Sequence, residues 1–141
     1  MKRSTSIVPA VVPPRFSWSE GDGRVPAFVD LFSGLGGFHL AFHAAGAVCV
    51  AAAECDRHAR STYRHCFKEI SPTLFQDGER LFHRDVSALL RSSHDDLPDF
   101  DILTGGVPCQ PFSQAGRKQG FDDEQGRGEL FWDVARLLYL R

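Results

Sequence analysis

The sequence predicts an α/β fold built on a parallel sheet, because short apolar runs alternate with amphipathic runs from residue 26 onward. A glycine-rich turn directly follows the first apolar run, as at the strand-to-helix junctions of such folds. Strands joined through helices in this way connect by right-handed crossovers. With 141 residues, 43% hydrophobic and 24% charged, the chain has the size and composition of one ordinary domain with its own core.

The predicted elements follow one another along the chain. Residues 1–25 are rich in Ser, Pro and Gly without periodicity, so a flexible leader is expected before a folded region spanning 26–141. The apolar runs predict strands over 28–32, 48–53, 81–83 and 99–104. Helical spacing predicts helices from the glycine turn to about 45, over 57–67, from after 85 to about 91, and from 130 to the end, with a loop at 71–77. On the second helix, Ala59, Tyr63 and Cys66 are predicted to share one face.

The usual first half of a doubly wound sheet has the strand order 3-2-1-4. That order places the first and fourth strands side by side at the switch point, where ligands bind beyond the carboxyl ends of the strands. The loops that follow these two strands are therefore expected to face each other across one crevice.

The turn after the first strand, Gly34-Leu35-Gly36-Gly37, favours binding of a nucleoside cofactor. It departs from the dinucleotide fingerprint because His39 stands where a third glycine would be, and it lacks the Lys-Ser/Thr pair of a triphosphate-binding loop. Glu54 ends the second strand, 20 positions after Gly34, where a carboxylate can accept hydrogen bonds from ribose hydroxyls. The alternative is an ordinary glycine turn with a solvated Glu54.

A cysteine follows the fourth strand in the segment Gly105-Gly106-Val107-Pro108-Cys109-Gln110-Pro111. Two prolines restrict the backbone around Cys109, so the loop presents one thiol at the carboxyl end of a strand. That placement suits a nucleophile, although a lone cysteine is more often a core residue.

Taken together, these segments resemble the DNA (cytosine-5)-methyltransferases. The segment Asp30-Leu31-Phe32-Ser33-Gly34-Leu35-Gly36-Gly37-Phe38 is similar to their S-adenosyl-L-methionine motif, and residues 105–116 are similar to their Pro-Cys-Gln loop. Residues 127–131 resemble the following R-G-x-L-F element. The resemblance implies a Rossmann-like S-adenosylmethionine-dependent methyltransferase fold, of which this chain holds the first half of the doubly wound sheet.

The resemblance also implies a reaction, a cofactor and a set of site residues. The expected activity is methyl transfer from S-adenosyl-L-methionine to C5 of cytosine in double-stranded DNA, through a covalent adduct with Cys109. Base flipping is required because C6 of cytosine is covered within the duplex. The implied cofactor-binding residues are Phe32, Gly34, Leu35, Gly36, Gly37, Glu54, Asp85, Val86, Pro108 and Leu130.

Three departures from the family pattern qualify these expectations. Cys55 stands where many relatives carry a bulky residue that stacks on adenine, and Glu129 replaces a small or hydroxyl residue. The 141 residues do not contain the Glu-Asn-Val segment or a target-recognition region. The chain is therefore expected to be a fragment, or one part of a split enzyme completed by a complementary polypeptide, and to be inactive alone. The alternatives are an inactive remnant or cofactor-binding module, and a segment of a tRNA cytosine-5 methyltransferase.

The remaining features exclude several classes of protein. The net charge of −2 gives no global basic signature for nucleic acid. No C-x-x-C pair is present, so neither a zinc site nor a redox motif is indicated, and His39 and His43 are expected to be surface or packing residues. The N-terminus resembles neither a signal peptide nor a membrane span, and with no export signal a cytoplasmic location is expected.

The expected half-sheet has a consequence for stability. It would leave an apolar strand edge uncovered, and the final helix would expose a stripe of Leu130, Val134, Leu137 and Leu138. Low stability or aggregation of the isolated chain is therefore expected.

Overall fold

A four-stranded parallel sheet forms the centre of the molecule in the computed structural model, which describes residues 23–91, 97–106 and 129–139. The strands are β1 (Ala27–Leu31), β2 (Val48–Ala53), β3 (Phe82–His83) and β4 (Ile102–Gly105). Their order in the sheet is β3-β2-β1-β4, and every neighbouring pair is parallel. The predicted fold class and the predicted strand order are confirmed.

The helices lie between the strands as the periodicity predicted. They are α1 (Gly37–Ala44), α2 (Arg57–Phe67), α3 (Val86–Arg91) and α4 (Glu129–Tyr139). The predicted loop at 71–77 contains a 3-10 turn, Pro72–Phe75, with Pro72 in its first turn. Within the described ranges no helix has the length and apolar character needed to cross a membrane.

Two apolar clusters cover the two faces of the sheet, because successive residues of a strand point to opposite faces. Phe28 belongs to the first cluster and Val29 to the second. The first cluster contains Phe28, Ala47, Cys49, Ala52, Tyr63, Phe67, Leu74 and Phe82. The second contains Val29, Leu31, Ala51, Ala53, Val86, Leu89, Leu97 and Leu137.

Helix α2 buries a different set of residues from the predicted one. Tyr63 is fully buried, as predicted, but Cys66 is exposed and Ala59 is only half-buried. The residues buried beside Tyr63 are Arg60 and Phe67. Ala59 and Cys66 are also four and three residues from Tyr63, but around the helix they lie on the side of Tyr63 away from Arg60 and Phe67, so the buried stripe runs through Arg60, Tyr63 and Phe67.

The final helix is more closely packed than predicted. Leu137 is buried and Val134 packs against the second cluster, so the stripe is not wholly exposed as expected. Leu130 is half-buried and Leu138 is exposed. Helix α4 contacts α3 on the face of the sheet that the second cluster covers.

The fourth strand starts three positions later than predicted, because the side chain of Asp101 makes contacts with the chain at the start of β1. Its side chain accepts a hydrogen bond from the Ala27 N–H at 2.8 Å and pairs with Arg24. Asp101 therefore ties the start of β1 to the chain before β4. The predicted leader falls mainly on residues 1–22, outside the described residues, so its flexibility stays a prediction.

Candidate active site at the carboxyl edge of the sheet

The turn after β1 is tied to the end of β2 by backbone hydrogen bonds. The Ser33 N–H donates to the Ala53 carbonyl at 2.9 Å, and the Gly36 N–H donates to the Ser33 carbonyl at 2.8 Å. Phe32 has a φ of 53°, a left-handed conformation that is costly for a bulky residue. Such strain is concentrated at functional sites, which identifies this turn as a candidate binding loop. We call residues 32–37 the glycine loop.

Gly36 lies where the glycine loop packs against α2. A Cβ atom at this position would lie 2.1 Å from Cε2 of Phe67 and 3.1 Å from Cδ2 of Tyr63. Its φ of 91° also favours glycine. Two buried aromatic rings therefore require a residue without a side chain at this point of the loop.

Glu54 joins the end of β2 to the glycine loop. One carboxylate oxygen accepts a hydrogen bond from the Gly34 N–H at 2.8 Å, and the other accepts one from the Asp56 N–H at 2.8 Å. Each oxygen of an ionised carboxylate retains a further lone pair. Glu54 can thus hold the loop and still accept hydrogen bonds from a ligand.

Arg60 holds together the ends of β2 and β3, and the sequence pattern did not predict this role. Its guanidinium donates to the carbonyls of Glu54 at 3.1 Å and His83 at 2.5 Å. It also donates to the Phe82 carbonyl at 2.9 Å and to the Glu79 carboxylate at 2.7 Å. The guanidinium carbon lies 4.0 Å from the ring centroid of Phe82. The only signal in the sequence was a charged residue on the apolar stripe of α2.

Arg60→Met is expected to lower the free energy of unfolding by about 3 kcal/mol, because three backbone carbonyls and one Glu79 carboxylate oxygen each lose a hydrogen-bond donor. Urea unfolding of the variant against the unaltered chain measures the effect. Arg57→Met, at an exposed position of the same helix, is the matched control and should cost under about 0.5 kcal/mol. Equal stabilities of Arg60→Met and Arg57→Met would contradict the conclusion that Arg60 holds the ends of β2 and β3 together.

Asp85 and Val86 lie beyond the end of β3, at the start of α3. The exposed Asp85 carboxylate accepts a hydrogen bond from the Ser87 N–H at 2.8 Å. The Val86 side chain is buried in the second cluster, so a ligand contact at this position would involve its backbone. Leu35 is 67% exposed, whereas Leu130 is half-buried in the first turn of α4.

The exit of β4 lies directly beside the glycine loop. Asp30 pairs with Thr104 and Leu31 with Gly105 across the two parallel strands. A Cβ on Gly105 would lie 3.2 Å from the Leu31 carbonyl oxygen and 3.5 Å from the Phe32 ring. Pro108 and Cys109 lie outside the described residues, so their position across the crevice stays a prediction.

A cluster of polar side chains is buried beneath the glycine loop. His39 is fully buried, with Nδ1 2.6 Å from the Tyr63 hydroxyl and Nε2 3.1 Å from the Ser71 hydroxyl. Its ring stacks on Phe67 with centroids 4.0 Å apart. Burial lowers the pKa of His39 to about 3, so the imidazole is neutral at physiological pH. His39 is therefore a packing residue, one of the two roles that the sequence left open.

The described cysteines differ in exposure. Cys49 is buried in the first cluster, and burial raises the pKa of its thiol to about 12. Cys55 and Cys66 are exposed, and partial desolvation together with the neighbouring Glu54 carboxylate raises the pKa of Cys55. Neither Cys49 nor Cys55 has the lowered pKa that an activated nucleophile needs.

Comparison with known proteins identifies the family. Residues 27–139 match the sequence profile described as C-5 cytosine-specific DNA methylase. The Type II methyltransferase M.HgiBI of Herpetosiphon aurantiacus is 46% identical over 113 residues, which are 80% of this chain and 23% of that protein. M.DsaV of Dactylococcopsis salina is 44% identical over 111 residues, covering 79% and 27% of the two chains. M.HhaI of Haemophilus parahaemolyticus is 39% identical over 111 residues, covering 79% and 29%.

The chain thus spans about a quarter of the length of these curated relatives. The matched segment includes the glycine loop, Glu54, Arg60 and the exit of β4, so the resemblance and the geometry concern the same edge of the sheet. Because the profile match covers most of the 141 residues, this chain belongs to the C-5 cytosine-specific DNA methylase family.

Proposed function

We propose that this chain supplies the S-adenosyl-L-methionine site and the cysteine nucleophile of a DNA cytosine-5 methyltransferase. The observation that carries the proposal is the hydrogen bond between Glu54 and the Gly34 N–H, next to the exit of β4. This contact joins Glu54, the proposed acceptor of the ribose hydroxyls, to the glycine loop. Both lie at the edge of the sheet where β4 ends and the chain continues toward Cys109. The same three features stand in family order in the sequence.

The described residues fit the proposed cofactor. Among the described residues outside α1 itself, no atom lies within 4 Å of a Cβ built on Gly37, and at Gly34 the nearest such atom is 4.0 Å away. A ligand can therefore approach the backbone closely. Among the described residues the buried Ser33 hydroxyl has no hydrogen-bond partner, so it is one polar group of the loop that a ligand could bind.

In the proposed site, Glu54 would accept the ribose hydroxyls, while Phe32 and residues 34–37 would line the bound nucleoside. Asp85 and the backbone of Val86 would lie near the adenine, with Pro108 and Leu130 as further contacts. When bound, S-adenosyl-L-methionine supplies an electrophilic methyl group.

Cys109 would act on the flipped cytosine as a thiolate. Its sulfur forms a bond to C6, and the electron pair of the C5–C6 double bond makes C5 nucleophilic. After C5 gains its methyl group, loss of the C5 proton re-forms the double bond and expels the thiolate. Covalent addition thus replaces one inaccessible step with easier ones.

Glu54→Ala is expected to weaken S-adenosylmethionine binding by about 1.5–3 kcal/mol, because a hydrogen bond to a charged group is lost. Titration calorimetry measures the change in affinity. Glu69→Ala removes an exposed carboxylate just beyond α2 and serves as the control, with no expected change. Unchanged affinity in Glu54→Ala would place the ribose elsewhere.

The substrate and the completeness of the catalytic unit are further parts of the proposal. The relatives named above are Type II methyltransferases, which favours DNA and a restriction-modification role over tRNA. The Glu-Asn-Val segment and the target-recognition region are absent from these 141 residues. They would come from further chain or from a complementary polypeptide.

Methyl-labelled S-adenosylmethionine tests this proposal when the chain is mixed with mixed-sequence DNA and, separately, with tRNA. Each mixture is assayed with and without a polypeptide that carries the remaining motifs. We expect label on DNA cytosine only in the completed mixture. Label on tRNA would favour the tRNA alternative, and no label with no cofactor binding would favour an inactive remnant. Robust methyl transfer by the 141-residue chain alone would overturn the proposal that the remaining motifs are needed for activity.

A further inference from the structure

Asp30, at the carboxyl end of β1, is a fully buried carboxyl group whose Oδ2 has no hydrogen-bond partner among the residues that the structure describes. Within the described ranges, only the Ser33 hydroxyl shares this condition. An ionised carboxylate with an unsatisfied oxygen is costly away from water, and such groups take up a proton instead. The burial of Asp30 therefore raises the question of where its proton lies.

The contacts of Thr104 answer that question. Its Oγ1 lies 3.1 Å from the Val29 carbonyl oxygen and 3.1 Å from Asp30 Oδ1. A hydroxyl has a single hydrogen to donate, and a carbonyl oxygen can only accept. If the Thr104 hydroxyl donates to Val29, the hydrogen in the second contact must come from Asp30. With a neutral Asp30, each contact is a full hydrogen bond with its own hydrogen, whereas with an ionised Asp30 the two acceptors would share the single hydrogen of Thr104.

Among the described residues, the groups around Asp30 provide no cation that would hold it ionised. From α1, His39 is neutral because burial lowers its pKa to about 3. From β2, the Cys49 thiol keeps its proton because burial raises its pKa to about 12, and burial likewise raises the pKa of Tyr63 on α2. The Glu54 carboxylate at the end of β2 adds a repulsive charge.

Burial is the largest effect on Asp30 and raises its pKa to about 7. The hydrogen bond with Thr104 and the nearby dipoles of the His39 N–H and the Tyr63 hydroxyl favour the ionised form, but they do not cancel the effect of burial. The raised pKa and the hydrogen-bond geometry therefore both favour the protonated form of Asp30.

We propose that Asp30 is a positioning residue that acts as a neutral acid, donating its O–H to Thr104 so that the exits of β1 and β4 are held together. The glycine loop starts two residues after Asp30, and Cys109 follows Thr104 by five positions. The bond thus joins the two segments that the proposed function places on either side of the crevice. Its consequence for cofactor binding rests on that function.

Ionisation of Asp30 would break this arrangement. Thr104 would then turn its single hydrogen toward the carboxylate and weaken or lose its own hydrogen bond to the Val29 carbonyl. The join between β1 and β4 therefore weakens as the pH rises through about 7. Because the native state binds the proton more tightly than the unfolded chain does, this stabilisation is complete below about pH 4 and is lost between about pH 4 and 7.

Carbon NMR of the aspartate carboxyl groups tests the protonation state directly, with Asp30→Asn used to assign the Asp30 signal. We expect the Asp30 signal to titrate with a midpoint near pH 7. A midpoint at or below about pH 4, the ordinary value for aspartate, would overturn the proposal.

Urea unfolding across the same pH range gives a second test that does not depend on assignment. Relative to Asp30→Asn, the unaltered chain should lose up to about tenfold in its folding equilibrium constant per pH unit between about pH 4 and 7. Asp77→Asn, at an exposed position, should keep the same dependence as the unaltered chain. A gain in stability over this interval, relative to Asp30→Asn, would contradict a neutral Asp30.

The positioning role needs a readout of its own. The dissociation constant for S-adenosylhomocysteine should rise between pH 6 and 8 more steeply in the unaltered chain than in Asp30→Asn. Parallel pH profiles of the two proteins would refute the positioning role. Absence of binding at every pH, together with a normal Asp30 titration, would instead refute the proposed cofactor site.

Discussion

Cys109→Ser is expected to abolish covalent trapping of a duplex that contains 5-fluorocytosine. In the proposed reaction, fluorine at C5 blocks the elimination that releases the enzyme, so an adduct resistant to denaturation accumulates. A serine hydroxyl is far less ionised than a thiol at neutral pH and should not add to C6. Denaturing electrophoresis of the protein–DNA mixture, with the remaining motifs supplied, measures the adduct.

Cys66→Ser provides the control for this experiment. Cys66 is exposed on α2 and lies on no segment that the proposed mechanism uses, so its variant should form the adduct to the same extent as the unaltered chain. Full trapping by Cys109→Ser would remove Cys109 from the mechanism. Loss of trapping in both variants would indicate that the effect does not arise at the nucleophile.

Gly36→Ala is expected to lower the free energy of unfolding by about 3 kcal/mol. The left-handed backbone costs about 1–2 kcal/mol for a residue with a side chain. Overpacking adds about 1–3 kcal/mol, because the new Cβ would lie 2.1 Å from the Phe67 ring. A loss of that size is a large fraction of the stability of a typical domain. Urea unfolding is the measurement.

Gly37→Ala separates this effect from a general intolerance of side chains in the loop. Gly37 is the first residue of α1, and no atom of the described residues outside that helix lies within 4 Å of a Cβ built there. Because alanine favours helix over glycine, the variant should be as stable as the unaltered chain or slightly more stable. A Gly36→Ala variant as stable as Gly37→Ala would show that α2 does not pack against the loop as described.

The strands could be predicted because each contains a short apolar run, and their order followed from the usual order of a doubly wound sheet. The bounds of β2 and α2 agree with the prediction to the residue. The start of β4 was placed too early because Asp101 bonds to Ala27, a contact between residues 74 positions apart. No local pattern reports a contact of that kind.

Only part of the candidate site could be predicted, because local patterns do not report contacts between distant residues. Residue type and spacing identified Glu54 and the glycine loop, and the structure brings them into contact. The roles of Arg60 and Asp30 depend on which carbonyl and hydroxyl groups surround them in the folded chain. A charged residue such as Arg60 is typical of the solvated face of a helix, and a carboxylate such as Asp30 is common near the end of a strand. The sequence therefore did not predict the role of either residue.

The central claim is that the carboxyl edge of the sheet binds S-adenosylmethionine, and amide NMR during a titration with this cofactor tests it most directly. We predict saturable changes in the backbone signals of residues 34–37, Glu54 and Asp85. The signals of Gly46 and Gly78, in turns that precede β2 and β3, should stay unchanged. Changes confined to those turns, or none at saturating cofactor, would contradict the account.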